Sequence, residues 1–87
     1  MTNRFSEVAF RDWLVVRKSL SKKASGDVVS RLKRCINIEP IDSYTDSTKY
    51  FDAILQNPAM ENIPESSRNS MNRASRLYFE FSGLSSK

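Results

Sequence analysis

The side chains best placed to do chemistry in this sequence are cations: Lys22, Lys23, Lys33 and Arg34, then Arg68, Arg73 and Arg76 with Asn69 and Asn72 among them. Lysine and arginine in such runs neutralise phosphates, and arginine and asparagine can donate to base edges when a helix lies in the major groove. Groups suited to covalent or proton-transfer work are scarce. Histidine, the usual general base and a usual ligand of zinc or iron, is absent. The single cysteine, Cys35, allows no intrachain disulfide, no CxxC redox pair and no cysteine-rich zinc site, so its simplest role is a small core residue. No GxxxxGKS/T phosphate loop, GxGxxG turn or GxSxG elbow occurs. Asp42 and Asp46 stand four apart, as acids on a loop or helix end do, and Tyr44, Tyr50 and Tyr78 are each explained by packing. No catalytic residue, metal or cofactor is expected. The residue types point to binding rather than reaction.

The cations are not spread evenly. The whole chain of 87 residues carries 14 Lys and Arg against 10 Asp and Glu, a net +4. Residues 1–36 hold nine basic and three acidic side chains, net +6. Residues 37–66 hold one lysine and six acids, net −5, and residues 67–87 return to net +3 with four basic residues and one acid. Two basic blocks therefore flank an acidic middle.

The elements that must position these charges read as helices. Over residues 5–17, Phe5, Ala9, Trp13 and Val16 fall on one helical stripe that Phe10 and Leu14 broaden, opposite a narrow polar stripe of Glu7, Arg11 and Lys18. So wide an apolar face should touch more than one neighbour. The break at residues 19–21 leads to a second helix over about 22–36. There Ala24, Val28, Val29, Leu32, Cys35 and Ile36 share one side, and Lys22, Lys23, Gly26, Asp27, Ser30, Lys33 and Arg34 the other. Ser21 suits its N-cap, with Ser25 or Gly26 as a later start. Gly26 inside the helix costs about 1 kcal/mol against alanine and marks either a close approach of another backbone or that later start.

Residues 37–46, with Pro40, read as a connection. The third helix, about 47–56, puts Tyr50, Phe51, Ile54 and Leu55 on one face and is stopped by Asn57-Pro58. A short stretch, 59–63, leads to Pro64. The last helix, about 65–82, has Met71, Ala74, Leu77, Tyr78 and Phe81 at helical spacing, with Arg68, Asn69, Asn72, Arg73 and Arg76 on its polar arc. Pro64 suits its first turn, Glu65 the positive end of its dipole and Gly83 its C′ position. Phe79 also falls on the polar arc. It either stacks on a base or docks a partner, or is buried by the chain end (Leu84 included) or the loop before Pro64; burial is the simpler reading. Nothing alternates with period two for long enough to make a strand. The fold class expected is all-α, one domain over residues 1–87, a small bundle of four or five helices.

Residues 1–20 contain Arg4, Glu7, Arg11, Asp12, Arg17 and Lys18, and so no uninterrupted apolar region of a signal peptide. The longest apolar run, residues 13–16, is far below the roughly 20 needed to span a bilayer. An unpaired thiol without an export signal fits the reducing cytoplasm, and no membrane partner is expected.

The segments Phe10-Arg11-Asp12-Trp13-Leu14, Leu20-Ser21-Lys22-Lys23-Ala24 and Val28-Val29-Ser30-Arg31-Leu32-Lys33-Arg34 resemble the N-terminal core-binding, SAM-like domain of tyrosine recombinases (phage integrases). That domain opens with an aromatic-rich helix, a Leu-Ser turn and a helix ending in a basic run. The stretch Ile63-Pro64-Glu65-Ser66-Ser67, followed by Met71, Ala74, Arg76, Leu77, Tyr78, Phe79 and Phe81, is similar to its last helix. The resemblance covers nearly the whole chain through short motifs. It implies a SAM-like bundle that clamps one face of duplex DNA in recombination of a mobile element. The family's catalytic arginines, histidines and tyrosine nucleophile belong to a separate C-terminal domain, so the resemblance implies an excised fragment or a free-standing relative without recombinase activity. None of the tyrosines here takes the nucleophile role. The acidic middle departs from the pattern, because Glu39, Asp42, Asp46 and Asp52 would repel phosphates if they faced DNA.

Two functions follow as expectations. The first is a non-catalytic DNA-binding module contacting the duplex through Lys22, Lys23, Lys33, Arg34, Arg68, Asn72, Arg73 and Arg76. The second is a small helical protein-interaction module without nucleic-acid binding, taking a partner domain or forming a homodimer through its basic helices and acidic middle.

Overall fold

A computed structural model describes residues 6–83. The chain order is α1 (Glu7–Arg17), α2 (Lys22–Ile38), α3 (Ser47–Leu55), a 3-10 turn (Pro58–Met60) and α4 (Glu65–Ser82), with no strand among the described residues. The protein is a small all-α bundle. The expected position of Phe5 in the first helix lies outside the described residues.

Helices α1, α2 and α3 start where a short polar side chain can satisfy a free backbone N–H. Ala9 N–H donates to Ser6 Oγ at 3.4 Å, Ala24 N–H to Ser21 Oγ at 3.0 Å and Thr48 N–H to Asp46 Oδ1 at 2.8 Å. Ser21 thus begins α2 at Lys22, and the later start at Ser25 or Gly26 is not used. The α4 start differs. Pro64 stands at the N-cap with no side-chain bond, one position before the first turn in which it was expected. Gly83 ends α4 in the left-handed conformation, φ 78°, as its C′ character requires.

The α1–α2 turn holds the other left-handed residue, Ser19, at φ 59°. That conformation lets Leu20 N–H reach back to the Leu14 carbonyl at 3.2 Å, so α2 doubles back onto α1. A side chain with a Cβ pays about 1 kcal/mol there. Further on, Asn57 Oδ1 accepts from Ala59 N–H at 2.8 Å and restarts the chain as the 3-10 turn after α3 stops.

The core joins all the helices. Phe10 and Leu14 of α1, Val29, Leu32 and Cys35 of α2, Tyr50 and Ile54 of α3, and Met71, Tyr78 and Phe79 of α4 are almost fully buried. The most extensive helix contact is α2 on α4, followed by α1 on α2; α1 also meets α4, giving it the two neighbours its broad face implied. At the α1–α4 contact Phe10 meets Tyr78 edge-on at 5.4 Å, and Phe81 lies 5.4 Å from Phe10 and 5.5 Å from Trp13.

Packing rotates several faces away from the sequence reading. On α1 the buried arc is centred on Phe10 and Leu14. Ala9 is exposed, and Val16 is 74% exposed and Val8 72%, because they lie about 120–160° round the helix from that arc. On α3, Leu55 is 45% exposed rather than part of the apolar face. On α4 the polar arc is narrower than expected, since both Ser75 and Phe79 are fully buried. Phe79 is buried with its ring 5.8 Å from Tyr50 of α3; Leu84 lies outside the described residues. Its burial removes it as a surface for stacking bases.

Two serines tolerate burial by turning inward on their own helices. Ser25 Oγ–H donates to the Lys22 carbonyl at 2.8 Å and Ser75 Oγ–H to the Asn72 carbonyl at 2.9 Å. With those bonds made, no buried side-chain oxygen or nitrogen among the described residues lacks a partner.

Candidate nucleic-acid interface

The structure distributes the eight sequence-predicted contact residues over the grooves and outer faces of two helices, α2 and α4. Lys22 and Lys23 are exposed at the start of α2 and line a groove of about 520 Å³ against α1, with Arg11, Asp12, Val15 and Val16. Arg11 was not among the expected contacts. Its guanidinium lies over Gly26, where a Cβ would sit 3.6 Å from Nη2. The neighbour that Gly26 meets is therefore a side chain, not a second backbone, and an added Cβ would make only ordinary contact.

Lys22 and Lys23 occupy the first turn of α2, which has no acidic residue to complement the positive end of the helix dipole. Cations at this end cost stability, about 0.3–1 kcal/mol each in surface positions. A fold that keeps two of them there gives up stability for a positive surface.

Lys33 turns the other way. Its Nζ lies 3.2 Å from Glu7 Oε1 on α1 in an exposed pair that water screens heavily. At the end of α1, Lys18 Nζ meets Glu80 Oε2 of α4 at 2.7 Å and sits 5.6 Å from the Trp13 ring centre. Both pairs tie α1 to its neighbours and occupy carboxylates that would otherwise oppose an anion. Arg34 is exposed on the outer face of α2.

On α4 the predicted residues divide. Arg68, Asn72 and Arg76, with Asn69, line a groove of about 410 Å³ against α3, where Asp52, Leu55 and Glu65 also stand. Two arginines and two carboxylates leave that groove close to neutral. Arg73 faces the other side, in a groove of about 210 Å³ between α2 and α4 that it shares with Arg31, Asp27 and Ser70. Arg31 was missed by the sequence reading. At 100° per residue it lies on the border between the polar arc and Ala24 and Val28, and that border becomes a groove wall only once α4 packs beside it.

The α2–α4 contact is thus where the two basic blocks meet. Arg31 comes from the first block and Arg73 from the last, with Lys23 and Arg34 exposed on the adjoining face of α2, while Arg76 lines the α3 side of α4. Most of the acidic middle belongs to the α2–α3 connection and α3, and α3 packs on α4 rather than extensively on α2.

The groups with nucleophilic potential are held neutral. Burial pushes the Cys35 thiol from its usual 9.0 up to about 12, and its S–H donates to the Met71 carbonyl at 3.7 Å. Burial likewise raises Tyr50, whose hydroxyl donates to the Glu39 carbonyl at 2.8 Å. Tyr44 donates to Glu39 Oε2 at 2.7 Å, and that bond raises its pKa. Together Glu39, Tyr44 and Tyr50 pin the connection after α2 onto α3. No cluster of three or more metal-ligating side chains occurs among the described residues, and no described helix is long and apolar enough to cross a membrane. No protein-family model, curated protein or solved structure matches the chain.

Proposed function

We propose that this chain is a non-catalytic DNA-binding module that engages duplex DNA through α2 and α4, in the manner that its resemblance to the integrase core-binding domain implies. The observation that carries the reading is the packing of α2 on α4, which places basic residues of both blocks on adjoining surfaces around the Arg31–Arg73 groove. Such a surface tracks a phosphate backbone. Lys22, Lys23, Arg34 and Arg73 supply phosphate contacts. Arg68, Asn72 and Arg76 stand on the α4 face that carries the donors suited to base edges. The lysines at the positive end of α2 support the same reading, because they serve a binding surface at the expense of the helix.

Fluorescence anisotropy with duplex DNA at low and moderate salt tests it. Binding is expected at low salt and weakens steeply as salt rises. Absence of binding at low salt would sink the reading, as would an affinity indifferent to Lys23→Glu combined with Arg34→Glu.

One observation favours a second reading as a protein-interaction module. Val8 and Val16 of α1 stand exposed on the face turned away from the core, two apolar side chains that a partner would cover. Light scattering separates the two: a salt-sensitive dimer that ignores DNA supports interaction, and a monomer that binds DNA supports the first reading.

A further inference from the structure

We infer that Arg31 and Arg73 act together as a clamp for a single backbone phosphate of duplex DNA, seated in the groove between α2 and α4. The inference rests on the DNA-binding reading and adds to it a new residue, Arg31, and a stoichiometry of two arginines to one phosphate.

The two arginines line the same groove from different helices. Among the described residues neither makes a hydrogen bond or ion pair, whereas Lys18 and Lys33 each find a carboxylate. Two guanidinium groups confined to one groove raise each other's energy, and an anion between them relieves it. Each presents a planar fork of donors that matches phosphate oxygens in pairs. Arg31 is half-buried on the groove wall. Ser70 offers no competing donor, since its hydroxyl already donates to the Ser66 carbonyl at 3.1 Å.

Asp27, four residues before Arg31 on α2, is the one carboxylate lining the groove. It leaves the groove with a net charge of one cation and so limits affinity for a free anion. The ligand favoured is therefore a phosphate within a polymer, whose neighbouring phosphates meet Lys23 and Arg34 on the adjoining face of α2.

The experiment is anisotropy with duplex DNA over a range of salt for the wild type, Arg31→Gln, Arg73→Gln, the double variant and Asp27→Asn. A clamp on one phosphate predicts that either single substitution leaves the slope of log K against log salt nearly unchanged, because the other arginine still neutralises that phosphate, and that the double lowers it by about 0.9. Affinity should fall several-fold in each single variant, and the loss in the double should differ from the sum of the two, because the residues share one partner. Asp27→Asn should bind a few-fold more tightly. A slope reduced by about 1.8 in the double variant means two independent contacts and overturns the clamp while leaving the DNA reading intact. An unchanged slope in the double variant overturns it as well. If the wild type binds no DNA, the DNA reading and the clamp that rests on it fall together; where it binds, an NMR titration with the duplex is a second check. Coupled shifts of the Arg31 and Arg73 Nε–H signals, with Arg17 unmoved, support the clamp; no shift at either arginine overturns it.

Discussion

Replacing Lys22 and Lys23 by glutamate should make the protein more stable and a worse DNA binder at once. Both residues stand in the first turn of α2, directly after the Ser21 cap, and both are exposed. Their charges oppose the helix dipole by about 0.3–0.5 kcal/mol each, at the lower end because they are solvated. Glutamate removes that penalty and adds an attraction, and Arg11 lies in the same groove to favour it. The gain for the pair is about 1.2–2 kcal/mol, which in a domain of this size raises Tm by about 5–15 °C. Asp12 shares the groove and trims the figure slightly. Thermal unfolding followed by circular dichroism at low ionic strength reads the stability, because salt screens the effect. Anisotropy on the same samples reads the binding, whose salt slope should fall by about 1.8 for two lost phosphate contacts. A lower Tm would refute the placement of these lysines at the helix start. Unchanged DNA affinity would refute their role in the interface.

Other substitutions test the local structure. Gly26→Ala should stabilise the fold by about 0.5–1 kcal/mol in urea unfolding followed by Trp13 fluorescence, since the new Cβ meets Arg11 at ordinary contact distance inside a helix; a loss of stability means that the Arg11 approach needs the glycine. Ser19→Gly should stabilise by about 0.5–1 kcal/mol in the same assay, because φ 59° strains a residue with a Cβ; a destabilised variant shows that the turn is not left-handed. Stability should hold up to about pH 9 and fall above it. The folded state keeps the Cys35 proton up to about 12 while the unfolded chain releases it near 9.0, so the folded state binds more protons in that window and loses ground as pH rises. The raised Tyr50 adds to the loss from about pH 10. Urea titrations of the wild type and Cys35→Ser across this range check it, the serine variant showing the shallower decline; equal slopes refute the buried thiol.

Helix existence, capping and much of the core were legible in the sequence. Ser21, Asn57-Pro58 and Gly83 act locally, through their own backbone and their near neighbours, so their types alone mark starts and stops. The core residues Val28, Leu32, Tyr50, Ile54, Met71 and Tyr78 follow from period 3.6 for the same reason. The faces were less legible where an arc is broad. Periodicity ranks Val16 with Trp13, and only the position of α2 and α4 beside α1 decides that Trp13 is covered and Val16 is not. Phe79 shows the converse, a residue on a polar arc buried because α3 brings Tyr50 against it.

The sequence by itself determined an all-α chain with two basic blocks, an acidic middle and no histidine, because composition and helical period are properties of the chain before it folds. Which cations become neighbours was decided by tertiary structure alone. Arg31 and Arg73 are 42 positions apart, and nothing local to either encodes the other; the apolar stripes of α2 and α4, pressed together to exclude water, bring them into one groove.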